Sequence, residues 1–220
     1  MQRITEPELM TDSAQARAYA EADFTSAHQA FIDLFQDRFA HSDIRSEVLD
    51  LGCGPCDITR RFARAFPHTN MHAVDGSPAM LQEAERLNRD EDLSARIRLI
   101  ESCLPTLQLP QTHYHTIISN SLLHHLHNPH HLWHSIKQHT EPFANIFIMD
   151  LYRPDDNAKA QQLVVQYAAD EPELLRRDFY HSLCAAFTPD EVNQQLADQA
   201  LSQLKVDIVS DRHMIIFGTL

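Results

Sequence analysis

Apolar and aromatic positions along this chain recur with two different periods. Between Ser13 and Phe39 they fall three or four residues apart, at Phe24, His28, Phe31, Ile32 and Phe35, which is one face of a helix. A break near Asp23–Thr25 splits this stretch into two helices. From Val48 the pattern changes to short apolar runs: Val48–Leu51, Asn70–Val74, Arg96–Ile100, His115–Asn120 and Phe143–Asp150. Each reads as a buried strand. Amphipathic stretches separate the runs, such as Ile58–Phe66 and the segment after Pro78. Strand alternating with helix predicts an α/β fold around a parallel sheet. Two further helices are expected over Asp155–Ala169 and from Glu171 to about Ala186. Thr188 and Glu191 form a capping box that starts another, and two strands, Leu204–Ser210 and His213–Gly218, close the chain as a hairpin. Residues 1–12, with Pro7 and mixed polarity, read as loosely ordered.

The stretch Val48–Asp57, VLDLGCGPCD, organises the rest. A buried strand ends in a turn that holds Gly52 and Gly54, two of only four glycines in the chain. Glycine takes φ > 0 and lets the backbone approach a ligand. Pro55 suits the first position of the following helix. The expectation is a set of free amide N–H groups at a helix N-terminus, facing the crevice at the strand's carboxyl end where α/β sheets bind ligands. Asp57 occupies the place of the third glycine in a G-x-G-x-x-G fingerprint, and an acid there disfavours a pyrophosphate. Asp75, at the end of the second strand, is placed to accept hydrogen bonds from ribose hydroxyls. Ser77 caps the next helix and Pro78 starts it.

VLDLGCGP, VDGSPAML and SNSLLHHL, in that order, resemble the motifs of class I S-adenosylmethionine-dependent methyltransferases. The resemblance implies a Rossmann-like, doubly wound seven-stranded sheet of order 3-2-1-4-5-7-6, its last strand antiparallel, under an N-terminal helical lid. It implies S-adenosylmethionine as cofactor, with contacts at Asp50, Gly52, Cys53, Gly54, Asp75, Gly76 and Met80. Met80 would lie against the adenine. Cys103 takes the place where the family has an Asp for the adenine amino group, so the Leu104 N–H would serve instead; a thiol is a weak acceptor. Asn120 and Ser121 would face the methionyl end, and His124 or His125 the transferring methyl, where an imidazole can act as base. By the same resemblance Tyr19 is a candidate lid residue over cofactor and substrate, and so a substrate candidate.

The chain reads as one methyltransferase domain, residues 1–220. Residues 1–45 form the lid, 46–150 the cofactor-binding core, 151–187 a helical insertion at the substrate pocket, and 188–220 the terminal helix and hairpin. Tyr152 and Arg153, just past the fifth strand, are substrate candidates, as are Tyr167, Arg176, Arg177, Phe179 and Tyr180 in the insertion. Six histidines lie between His124 and His134, and His130 and His134 are one helical turn apart. No acid or thiol in that segment completes a ligand set, so no metal is expected. Cys53-x-x-Cys56 lies inside the glycine turn, which argues against a zinc spacing.

Charge narrows the partners. With 18 Lys and Arg against 31 Asp and Glu, the formal net charge is −13, which opposes a phosphate-backbone ligand. No apolar run reaches a membrane span, and the first residues lack the core of a signal peptide. Four cysteines at this length fit free thiols in a reducing cytoplasm. The expectation is methyl transfer to a small-molecule acceptor, without nucleic acid or membrane. A protein or peptide methyltransferase, a non-catalytic S-adenosylmethionine-binding regulator and an NAD-dependent oxidoreductase remain as alternatives. The missing third glycine and the terminal hairpin count against the last.

Overall fold

Seven strands pair into one sheet in a computed structural model that describes residues 1–42, 44, 46–88 and 93–220. They are β1 (Ser46–Leu51), β2 (Thr69–Asp75), β3 (Ile97–Glu101), β4 (Tyr114–Asn120), β5 (Thr140–Leu151), β6 (Lys205–Ile208) and β7 (His213–Thr219). Their order is β3-β2-β1-β4-β5-β7-β6, as the resemblance implied. β1 to β5 pair in parallel, and β7 runs antiparallel to both β5 and β6. The helices are α1 (Ser13–Glu21), α2 (Thr25–Arg38), α3 (Asp57–Ala65), α4 (Pro78–Asn88), α5 (His130–His139), α6 (Asn157–Ala168), α7 (Glu173–Ala185) and α8 (Pro189–Asp198). Among the described residues no helix is long and apolar enough to cross a membrane.

Both faces of the sheet are covered, which is why the strands read as unbroken apolar runs. Side chains alternate along each strand. β1 sends Val48 to one face and Leu49 and Leu51 to the other; β5 sends Phe147 to the first and Ile146 and Ile148 to the second. On the first face Phe35 of α2 meets Phe62 of α3 and Phe147 edge-on, with ring centroids 4.8 and 5.5 Å away. On the second, Trp133 of α5 is fully buried and its indole N–H donates to Gln195 Oε1 of α8 at 2.9 Å. Burying each such ring stabilises the fold by about 1.5–3 kcal/mol. The predicted capping box holds α8: the Glu191 N–H donates to Thr188 Oγ1 and the Thr188 N–H to Glu191 Oε2.

Two local readings are corrected. Pro55 does not start α3. Cys56 intervenes in the left-handed region at φ 65°, and the helix begins at Asp57. Gly52 and Gly54 also have positive φ, so the turn alternates left-handed residues, and the fixed φ of proline suits the place between the last two. Residues 1–12 hold no helix or strand, yet they are anchored along their length. The Ile4 N–H donates to the Cys184 carbonyl, Arg3 donates to the carbonyls of Ala185, His124 and Leu126, and the Met10 carbonyl accepts from Ser77 Oγ. A strap with few local contacts and no periodicity gives no signal in its own sequence.

Candidate active site

A cavity of about 580 Å³ opens at the carboxyl ends of β1, β2, β4 and β5, roofed by the strap, α1 and α2. Its wall includes Tyr19, Asp50, Gly52, Cys53, Gly54, Asp75, Gly76, Met80, Cys103, Leu104, Asn120, Ser121, His124 and His125. Tyr152 and Arg153 lie outside it. The Tyr152 N–H donates to the Arg212 carbonyl and the Arg153 N–H to the Phe187 carbonyl, which turns the chain away toward α8. The buried Arg153 guanidinium then donates to the Ala186 carbonyl and to Glu191 Oε1 at 2.6 Å. Of the insertion candidates, Tyr167 and Phe179 reach the cavity, whereas Arg176, Arg177 and Tyr180 do not.

The amides of the glycine turn are not free, contrary to expectation. The N–H groups of Gly52 and Cys53 both donate to the Val74 carbonyl, at 2.8 and 2.9 Å, and Gly54 N–H donates to Asp75 Oδ2. Ser77 N–H takes the other Asp75 oxygen at 2.8 Å. The turn is thereby fastened to β2, and the Asp75 carboxylate is oriented with lone pairs left for a diol. Burial pushes its pKa up, and the backbone donors pull it part of the way back. A Cβ built on Gly54 would meet nothing within 4 Å, so the backbone there borders open space.

Asp50 is buried beneath the turn and accepts from Thr59 Oγ1 at 2.6 Å. Burial pushes its carboxyl up to about 7. Asp57, at the first turn of α3, accepts from Arg61 and stands 2.7 Å from His28 Nδ1. Burial alone would raise Asp57; its bonds to His28 and Arg61 win, and hold the group well below the carboxylate range.

On the β3 side, Met80, Cys103 and Leu104 form a largely apolar slot beside Asp75. A Cβ on Gly76 would meet Cys103 Sγ at 2.5 Å and Leu9 Cδ2 at 2.8 Å, so the strap and the thiol close directly over this glycine. Met80 packs with Ala16 and Tyr19 of α1.

The far wall is built where the 3₁₀ turn Leu123–His125 meets the end of β5. Asp150 is buried and accepts from the Leu123 and Leu151 N–H groups, both at 2.7 Å. His124 Nδ1 lies 2.5 Å from Asp150 Oδ1, which leaves Nε2 toward Glu6, 3.5 Å away. Burial disfavours a charge on His124, but Asp150 and Glu6 outweigh it and raise its pKa. Burial, then His124, press His125 down to about 3. Asp150 and Glu6 were missed by the sequence reading. Asp150 had a signal: like Asp75, it is the one acid at the carboxyl end of an apolar strand. Glu6 had none, because only tertiary structure brings the strap here. Arg212 and His213, at the start of β7, also line the cavity; the Arg212 guanidinium stacks 3.4 Å from the centre of the Tyr167 ring.

Residues 48–142 match the family model described as a methyltransferase domain. The chain is similar to trans-aconitate 2-methyltransferase of Pseudomonas paraeruginosa, 35% identical over 36% of this chain and 31% of that protein. It is also similar to malonyl-[acyl-carrier protein] O-methyltransferase of a Paenibacillus species, 28% identical over 38% of this chain and 30% of that one. The matched segment thus spans about a third of the length of these curated relatives. In fold the chain is similar to a SAM-dependent methyltransferase from Aquifex aeolicus, with a TM-score of 0.66 at 15% identity, covering 96% of this chain and 99% of that one. The plantazolicin methyltransferase BpumL, in complex with a triazolic desmethylPZN analog and SAH, superposes with a TM-score of 0.69 at 14% identity, covering 94% and 89%. Over residues 48–142 this chain carries a methyltransferase domain, and its ordered motifs and sheet order resemble those of the class I S-adenosylmethionine-dependent methyltransferases.

Proposed function

We propose that this chain transfers a methyl group from S-adenosylmethionine to a small-molecule acceptor by in-line displacement. The observation that carries the reading is one cavity with two chemically distinct ends. At one end stands Asp75, oriented by the N–H groups of Gly54 and Ser77, beside the apolar slot of Met80, Cys103 and Leu104. At the other stand His124 and His125, backed by Asp150. The first end suits an adenosine: the carboxylate would accept from the ribose hydroxyls and the slot would take the base. Cys103 offers no strong acceptor, so the backbone of Leu104 would meet the adenine edge. Asn120 and Ser121 lie between the two ends, where the methionyl part would run.

The cofactor, when bound, supplies a methyl group already activated on a sulfonium. The residues of this chain would hold the acceptor behind that methyl and keep water out. Orientation alone can be worth about 7–11 kcal/mol in favourable cases. Tyr19, Phe24 and Phe179 supply apolar cover, and the imidazoles of His124 and His125 are the groups positioned to activate the acceptor. The turn's own amides are spent on Val74 and Asp75, and Asp50 and Asp75 lie close by. This disfavours the pyrophosphate of NAD and favours a ligand carrying positive charge. The names of the two curated relatives, with trans-aconitate and an acyl carrier protein's malonyl group as acceptors, support an acceptor of small-molecule type.

Parallel calorimetric titrations with S-adenosylmethionine, S-adenosylhomocysteine and NAD test the cofactor. Binding of the first two without the third is expected; binding of NAD alone overturns the reading. Incubation with isotopically labelled cofactor and a panel of small acids, phenols and amines then tests transfer by product mass. Tight cofactor binding with no labelled product across the panel would favour a regulator.

A further inference from the structure

From a distant part of the chain, Glu6 approaches His124 and His125, which line the far wall of the cavity. Glu6 Oε1 lies 3.5 Å from His124 Nε2 and 3.2 Å from His125 Nδ1. One ligand atom from each residue falls within 4.8 Å of the other two, and no other three such side chains come this close among the described residues. Two donors bound to one ion at about 2.0–2.1 Å, with a near-tetrahedral angle, stand roughly 3.3–3.4 Å apart. The observed spacings bracket that value.

Three further observations point to a cation. His125 Nδ1 is buried and makes no hydrogen bond, although the Glu6 oxygen is near; the pair is not aligned for one. A nitrogen left this way calls for a partner that nothing in the chain provides. The outer contacts are those that hold metal-ligating side chains in place. His124 Nδ1 is bonded to the buried Asp150 carboxylate, and Ser182 Oγ donates to Glu6 Oε1 at 3.1 Å. A carboxylate behind a ligating histidine fixes the ring and makes it a stronger donor to the ion. Charge also fits, since Glu6 and Asp150 bring two negative charges to one spot. The nearest guanidinium, Arg3, gives its donors to the carbonyls of Ala185, His124 and Leu126.

We infer that Glu6, His124 and His125 hold a divalent first-row transition ion, for which Zn²⁺ is the probe. Two imidazoles and one carboxylate leave at least one coordination position open to the cavity. There the ion binds the acceptor's oxygen or nitrogen and makes it more acidic, so its proton leaves to solvent. The methyl–sulfur bond then breaks as the methyl–acceptor bond forms, giving methylated acceptor, S-adenosylhomocysteine and the released proton. This role rests on the methyl-transfer reading; the binding of the ion does not. The helical pair His130 and His134 is no rival. His134 is exposed, and His130 Nδ1 faces the Gln199 amide at 3.1 Å.

The test is calorimetric titration of the chelator-treated full chain with Zn²⁺. One site per chain is expected. E6Q and H125A should each weaken it roughly tenfold or more, and D150N by roughly 10–100-fold. The H130A/H134A double variant should bind as the wild type does. Co²⁺ should give visible absorption bands of a low-symmetry site, altered in E6Q. No Zn²⁺ binding by folded wild type overturns the inference, as does equal binding by E6Q and H125A, or loss of the site in H130A/H134A. Should either single variant fail to fold, the wild-type Co²⁺ spectrum decides: an octahedral aquo-like spectrum overturns the site. Titrating metal-free wild type with S-adenosylhomocysteine separates the two readings, because loss of that binding counts against methyl transfer and leaves the ion untouched.

Discussion

The Gly54 N–H donates to Asp75 Oδ2 at 2.8 Å, so the turn after β1 is fastened to the acid that ends β2. Asp75 therefore does two things at once: it shapes the turn and presents lone pairs to the cavity. Asp75→Ala removes both, and the affinity for S-adenosylhomocysteine should fall by about 1–3 kcal/mol. Calorimetry on the folded variant checks this. An unchanged affinity would put the ribose elsewhere.

This bond also explains what could be read in advance. Gly52, Gly54 and Asp75 were legible because strand, turn and acid are set by local backbone chemistry. Periodicity predicted the alternating strands and helices, whereas the order of the strands in the sheet came from the family resemblance that the motifs carry. What was not legible depends on contacts between distant segments. Arg153 was placed at the correct edge of the sheet, but two backbone bonds beyond β5 carry it toward Glu191. Glu6 reaches His124 only because Arg3 and Ile4 pin the strap to carbonyls near the end of α7. The free amides expected at the turn were lost to Val74, a partner on another strand that no local pattern names.

A side chain at Gly76 should cost stability. Gly76→Ala places a Cβ at 2.5 Å from Cys103 Sγ and 2.8 Å from Leu9 Cδ2, so both of these side chains must shift. A loss of about 1–3 kcal/mol in stability is expected, as for overpacking generally. Adding Cys103→Ala should recover part of it, since the nearer clash is then gone. Urea unfolding of the single and double variants measures the difference, and no recovery would mean that Leu9 is the stiffer neighbour.

Two acids should give opposite pH dependence. Asp57 has a folded pKa below the ordinary value of 3.8, held there against burial by His28 and Arg61. Its contribution to stability is present above that ordinary value and is lost as pH falls through the folded one. Asp57→Asn should therefore destabilise the protein at pH 7, with the gap to wild type closing in strong acid. Asp50 is the reverse case, raised from 3.8 to about 7 by burial. Above about pH 7 its ionisation in the fold carries the full cost, and below about pH 4 there is none. Asp50→Asn, which can still accept from Thr59, should raise the melting temperature at pH 8. The benefit is a few kcal/mol at most, at about 1.4 kcal/mol per pKa unit, and it should vanish near pH 4. Thermal unfolding of ligand-free protein across this range tests both signs.

Arg3 is the rivet of the strap. Its guanidinium donates to the carbonyls of Ala185 at 2.5 Å, His124 at 2.9 Å and Leu126 at 3.0 Å, and it stacks 3.8 Å from the centre of the Phe187 ring. One planar fork thus joins the end of α7 to the 3₁₀ turn. Arg3→Ala leaves three carbonyls without this donor and should cost about 1–3 kcal/mol of stability. Arg3→Lys keeps the charge but cannot reproduce the fork, so it should fall between the two. Leu9 and Met10 line the cavity a few residues further along the same strap. Loosening the strap should therefore speed the release of S-adenosylhomocysteine more than it slows capture, as most affinity changes reside in dissociation. Stopped-flow displacement measures the rate directly. A wild-type release rate in an Arg3→Ala protein of lowered stability would show that the strap holds the fold together without covering the ligand.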